Sequence, residues 1–302
     1  MECFEITIVG GGMAGLSAAL YGGWLGRTVL VAERQMFGGQ IVNADRIENY
    51  PGFPDGILGA DLVSQVRMQA IKFGAKMVYI EIVAIKREDT VFRLQSTEEA
   101  YESKTLILAT GGRHRTLAIK GERELDGRGV SRCATCDGAF FADKPVAVIG
   151  GGDTALDEAL YLTNIASRVT IIHEGEVPIA STTLLDRARK NPKIELISNA
   201  RVEEIIGSDS VEGVRLTTGS NIPIAGVFLA VGYDPETALV KDLLELDPMG
   251  HIAVDLQMQT TIPGLFAVGA VRQGSAGQLA SGIGDGVTAA VAAHHYLLTK
   301  AA

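Results

Sequence analysis

The chain has 302 residues, 47% hydrophobic and 21% charged, which excludes a disordered or fibrous protein and leaves length for two domains. Its 27 basic and 36 acidic residues give a formal charge of −9 with no basic cluster, arguing against nucleic acid as a partner. No apolar run of about 18 residues occurs and no basic leader precedes the first strand-like run, so the expectation is a cytoplasmic protein without a membrane partner.

The β-branched run Phe4–Val9 predicts a buried strand and leads into Gly10-Gly11-Gly12-Met13-Ala14-Gly15, a glycine turn opening a helical stretch. A second strand, 28–33, ends at Glu33. This is the order of a dinucleotide fold: the glycines let the backbone approach a pyrophosphate, the helix start offers unpaired N–H groups, and Glu33 accepts from ribose hydroxyls. Trp24 reads as packing. A helix over 59–73 carries Leu62, Val66, Met68, Ile71 and Phe73, a pattern expected to face a core. The run Thr105–Ala109 ends a further strand at Thr110-Gly111-Gly112.

Next stands Cys133-Ala-Thr-Cys136-Asp137. Two cysteines at this spacing at a helix start can close a redox disulfide, whereas a structural zinc site needs a second ligand pair that neither Cys3 nor the five histidines supply. No metal is expected. From Gly150 the first fingerprint returns at an offset of 140 residues, with 8 of 24 aligned positions identical, as Gly150-Gly-Gly152-Asp153-Thr154-Ala155 and a strand ending at His173-Glu174. The runs 227–232 and 265–269 again end at glycines. A glycine-rich stretch over 274–286 should lead into an Ala-rich helix from Val287 that packs on the first domain, and His294-His295 on it read as surface or dimer-face residues. The expected fold class is α/β: two Rossmann-like, three-layer nucleotide-binding domains, the second inserted in the first, over 1–113 with 245–302 and over 114–244. A dithiol alone cannot take a hydride, so a flavin is expected at the first fingerprint.

In this order, GGGMAG, GGQ, IENYPGFPDG, ATGG, CATCDG, GGGDTA, VGYDP and the TxxPGLFAVG pattern that ends at Gly269, the chain resembles the low-molecular-weight thioredoxin reductases over nearly its whole length. The resemblance implies an FAD enzyme. Gly10, Gly11, Gly12, Met13, Ala14, Glu33 and Arg34 would hold the cofactor's pyrophosphate and ribose, with Gly39, Gln40 and Asn49 near the flavin ring. Val83, Thr110, Gly111, Gly269, Gln278 and Leu279 match further flavin-contacting positions. It also implies that Cys136 exchanges electrons with the flavin, that Cys133 attacks the substrate disulfide, that Asp137 relays the proton, and that a homodimer of rotating domains serves thioredoxin.

Two departures bear on function. Where NADPH users of the family carry His-Arg-Arg and a further Arg, this chain reads His173-Glu174-Gly175-Glu176-Val177-Pro178-Ile179. A carboxylate about 4 Å from a 2′-phosphate costs on the order of 1–4 kcal/mol where a cation would contribute as much, which argues against NADPH. The expected donor is ferredoxin or another protein, with Gly150, Gly152, Asp153, Thr154 and Glu174 as a nicotinamide-nucleotide seat should NADH serve instead. Ala270 replaces the family's flavin-contacting aspartate, and Arg272 reads as a solvated surface arginine. The competing readings are a flavin dithiol oxidase that passes electrons to oxygen and a non-catalytic redox-sensing flavoprotein.

Overall fold

The computed structural model describes residues 2–301, with side chains through 300. The chain forms two compact units, Met1–Arg113 with Asp234–Ala302, and His114–Tyr233. The return to the first unit falls at 233/234 and not at 244/245, because Leu239, Val240, Leu243 and Leu244 pack into that unit's core.

The first unit begins with β1 (Glu2–Val9), α1 (Met13–Trp24) and β2 (Val29–Glu33), followed by α2 (Gly59–Lys72), β3 (Lys76–Tyr79), β4 (Ile82–Glu88), β5 (Val91–Ser96) and β6 (Ala100–Leu108). Its sheet runs β3-β2-β1-β6-β5-β4, with β1 parallel to both neighbours in the register Ile6 to Val29 and Ile6 to Thr105. Alternation along the strands divides the side chains between two cores. Ile6, Ile8, Val29, Val31 and Ile107 meet the helices, while Leu30, Ala32, Leu106 and Leu108 meet the β4–β5 hairpin through Ile85, Phe92 and Leu94.

Strand β7 (Gly112–His114) leads into the second unit: β8 (Val130–Ser131), α3 (Ala134–Asp137), β9 (Pro145–Ile149), α4 (Asp153–Leu162), β10 (Arg168–Ile172), α5 (Thr182–Lys190), β11 (Ile194–Ile197), β12 (Val202–Gly207), β13 (Val211–Leu216), β14 (Asn221–Pro223) and β15 (Gly226–Leu229). The sheet β11-β10-β9-β15-β8 carries α4 and α5 on one face through Val146, Val148, Ile171 and Phe228, and the antiparallel sheet β12-β13-β14 on the other through Ala147, Ile149, Val227 and Leu229. Each unit is therefore the expected three-layer sandwich of helices, parallel sheet and antiparallel strands. The chain leaves through β16 (Tyr233–Pro235), which pairs with β7, then adds β17 (Leu265–Ala267) beside β6 and ends in α6 (Leu279–Ala301).

Three further sequence expectations change. Helix α6 starts at Leu279, not Val287, and runs through Gly282, Gly284 and Gly286; Gly282 and Gly286 face α1, where a Cβ on Gly286 would overlap the Ala14 carbonyl oxygen, while Gly284 faces open space. On α2 the buried positions are Gly59, Leu62, Val63 and Ala70, while Val66 is only half-buried and Met68, Ile71 and Phe73 face outward. Trp24 is 61% exposed, touching Tyr21 edge-on at 5.9 Å, because it ends α1 beyond the sheet.

Candidate active site

In the first unit the glycine turn is built as a cradle. Gly10 has φ +106°, and a side chain there would overlap the Ala109 carbonyl, so only glycine lets β1 turn this tightly beneath Thr110. Gly12 starts α1 with no neighbour within 4 Å of a Cβ position. Met13 is buried and anchors the turn in the core, beside half-buried Ala14. Glu33 closes the end of β2: its Oε2 accepts from Gly11 N–H at 2.7 Å and its Oε1 from Gln35 N–H at 2.8 Å. Gly39 lies against Gly12, and Asn49 Nδ2 donates to Gln278 Oε1 at 3.2 Å, so four segments distant in sequence converge here. Gln40 is exposed, Leu279 half-buried, and Gly111 lies at φ +68° facing open space. Thr110 Oγ1 donates to Glu236 O at 2.7 Å, and Arg34 lies 3.6 Å from the Glu236 carboxylate. Val83 is exposed on the edge strand β4.

Gly269 packs its missing Cβ against Ala14 and donates its N–H to Asp285 Oδ2 at 3.0 Å. Arg272 is not a solvated arginine. Its Nε and NH2 hold both oxygens of the buried Asp285, at 2.7 and 2.8 Å, because α6 brings Asp285 beneath the turn that follows β17. The Gly269 turn is thus fixed although Ala270 carries no carboxylate. An open glycine turn at a helix start, a fixed carboxylate acceptor at the end of β2 and converging amides at Asn49 and Gln278 fit an adenine dinucleotide such as FAD.

In the second unit Cys133 and Cys136 form a disulfide, with Cys136 exposed. Cys133 caps α3: its Sγ accepts from Cys136 N–H at 3.2 Å. Asp137 is held by a residue that the sequence did not single out. Ser131 Oγ donates to Asp137 Oδ2 at 2.6 Å and accepts from Cys133 N–H at 3.1 Å, so one hydroxyl ties the acid to the first cysteine. Upstream, Arg132 spans Asp126 and the buried Glu122, at 2.6 and 3.0 Å. From α4, Glu158 accepts from Ala134 N–H, and burial pushes its carboxyl up to about 7. Beside Asp137 lies a cleft of about 390 Å³ lined by Arg128, Phe140, Phe141 and Lys144, and Phe140 is 72% exposed.

The second fingerprint repeats the first in shape and not in charge. Gly150 has φ +143° and would overlap the Ala230 carbonyl if substituted; Gly152 starts α4 and Thr154 is exposed. Asp153 Oδ1 accepts from Ser181 N–H at 2.6 Å. Under Gly151, where Glu33 sits in the first copy, is His173, whose Nε2 pairs with Ser198 Oγ at 2.9 Å and whose pKa is lowered by burial. Glu174 is exposed and paired with Arg201 at 2.9 Å. Arg201 has no signal in the sequence, since it reaches Glu174 from the turn before β12.

Residues 4–294 match the family described as pyridine nucleotide-disulphide oxidoreductase. A thioredoxin reductase of Treponema pallidum is 42% identical over 301 residues, covering 98% of each chain. A bifunctional thioredoxin reductase/thioredoxin of Mycobacterium leprae is 40% identical over 98% of this chain, which spans 66% of that longer relative. The crystal structure of Lactococcus lactis thioredoxin reductase superposes with a TM-score of 0.95 at 37% identity, covering 98% of this chain and 99% of that one.

Proposed function

This chain belongs to the pyridine nucleotide-disulphide oxidoreductase family, among its low-molecular-weight thioredoxin reductases, and from that premise we propose that it reduces thioredoxin or a thioredoxin-like protein through Cys133 and Cys136 without NADPH as donor. The observation that carries this reading is the Cys133–Cys136 disulfide with Asp137 tied to it through Ser131. When bound, FAD supplies the electron pair that opens the disulfide. Cys133 then attacks the partner's disulfide as a thiolate, forming a mixed disulfide and freeing one partner sulfur, and Cys136 attacks Cys133 to re-form the intramolecular disulfide and release the other. Asp137, oriented by Ser131, hands a proton to the departing partner sulfur. Gly10–Ala14, Glu33 and the Asn49–Gln278 pair would hold the cofactor. The exposed Phe140 and its cleft suit a protein partner, so Phe140→Ala should raise the KM for thioredoxin with flavin reduction unchanged.

The donor assignment rests on Glu174. Its carboxylate and the absence of cations over 175–179 disfavour a 2′-phosphate, and its pairing with Arg201 neutralises a neighbouring cation. Ferredoxin or another protein donor is the first reading. NADH is the second, favoured by the open turn at Gly152. Anaerobic bleaching of the flavin by NADPH, NADH and reduced ferredoxin in turn separates them: bleaching by ferredoxin alone is expected, and efficient bleaching by NADPH overturns the assignment. Cys133→Ser and Cys136→Ser should each abolish thioredoxin reduction while the bound flavin stays; turnover retained in both removes the dithiol from the reaction. Among the described residues no helix is long and apolar enough to cross a membrane. The same reading includes a homodimer in a reducing, cytoplasmic setting, and the outward-facing Trp24, Met68, Ile71 and Phe73 give it apolar surface to cover.

A further inference from the structure

The dithiol segment has a partner that the chemistry above does not use. Helix α4 packs against α3 within the second unit and brings the carboxyl of Glu158 onto the N–H of Ala134, the residue directly after Cys133. One carboxyl oxygen is engaged there. The other, Oε2, is out of contact with solvent and hydrogen-bonds to no described residue. A buried acceptor with one oxygen unsatisfied is costly, and its placement against the backbone between two redox sulfurs ties that cost to their state.

We propose that Glu158 is a positioning residue of the dithiol that holds the Ala134 amide and takes up a proton at Oε2 when the disulfide is reduced to a thiol and a thiolate. The balance is direct. The disulfide and the Glu158 carboxylate together accept two electrons, supplied by the reduced flavin, and two protons from solvent; the sulfur–sulfur bond breaks, one proton goes to one sulfur, the other sulfur remains a thiolate, and the second proton goes to Glu158. The new negative charge on sulfur replaces the one lost from the carboxylate, so the site's net charge is conserved. The charged and titratable groups beside Glu158 are Asp157 on its own helix and Tyr233 of β16, whose hydroxyl is pushed up to about 12 by burial and by the Glu158 charge, and the Ala134 amide links it to the segment between the two cysteines. Neither Asp157 nor Tyr233 offers a positive charge, and burial with the Asp157 charge pushes the Glu158 carboxyl up to about 7, where proton uptake can follow the redox state. The inference rests on the dithiol being redox-active.

The test is the pH dependence of the dithiol in the full flavin-loaded protein, equilibrated with reduced and oxidised dithiothreitol and read by thiol trapping and mass spectrometry. Wild-type protein should show a change of slope in its reduction potential near neutral pH; Glu158→Gln should lose that change, since its side chain takes up no proton on reduction. Glu158→Asp should keep the change of slope. A Glu158→Gln profile superimposable on wild type overturns the proposal. Infrared difference spectra of wild-type protein on reduction need no variant: a new protonated-carboxyl band at neutral pH supports it, and its absence overturns it. If Cys133→Ser and Cys136→Ser retain turnover, the failure lies in the functional reading and not in Glu158.

Discussion

Ser131 concentrates two jobs in one hydroxyl, and its removal separates them from the flavin chemistry. Ser131→Ala withdraws a hydrogen bond from the Asp137 carboxylate, an interaction of about 1.5–3 kcal/mol. Thioredoxin turnover should fall by about tenfold with the rate of flavin reduction unchanged; an equal loss in both would show general damage. Arg132→Ala leaves the carboxylate of Glu122 buried without its cation, at a cost of about 3 kcal/mol, read as a lowered denaturation midpoint. Glu158 gives a pH signature to stability. Its folded-state pKa is raised to about 7, so the folded protein retains a proton that the unfolded chain releases, and the group's contribution is lost as the pH rises through that value. Glu158→Gln should therefore gain on wild type between about pH 5 and about pH 8, by on the order of 2 kcal/mol; a constant difference across that range would contradict the assignment. Cys133, Cys136 and Asp137 are legible in the sequence because their relation is a spacing of a few residues. Ser131, Arg132 and Glu158 are not, because their partners are set by how β8, α3 and α4 meet in space.

At the scale of elements, both fingerprints are legible, since strand, glycine turn and helix follow one another without a gap. The start of α6 is not. Three glycines within five residues suggest a loop, and the reason for a helix lies in α1, whose Ala14 and Ala18 leave no room for a side chain at Gly286. The two kinds of glycine on this helix separate by substitution. Gly284→Ala meets nothing within 4 Å and should raise stability by about 1 kcal/mol through helix propensity. Gly286→Ala must push α6 off α1 and should lower it by more than that; equal effects would mean that the helices do not pack so closely. The exposed Met68, Ile71 and Phe73 on α2 show the complementary limit, for apolar spacing identifies a helix face without saying whether this chain covers it.

Over the whole molecule, one plan is used twice, and the copies differ at the end of the second strand. If electrons enter at the first unit, Gly152→Asp, placed where a Cβ has 4.0 Å of clearance from the Ile179 carbonyl, should leave ferredoxin-driven thioredoxin reduction unchanged within about twofold. A tenfold loss of turnover driven by NADH would instead assign electron entry to a nucleotide on the second unit. The donor is the least legible feature because it turns on side chains such as Arg201, which reaches Glu174 from the turn before β12. The two carboxylates also set residence times. Glu33 is held by two backbone amides, so a bound ribose would meet an acceptor whose conformational entropy is already spent, and its dissociation would have to break a rigid array. Glu174 is an exposed surface group that would first have to release Arg201. With FAD on the first unit and a nucleotide on the second, the first seat would retain its occupant through many turnovers and the second would host one that exchanges quickly.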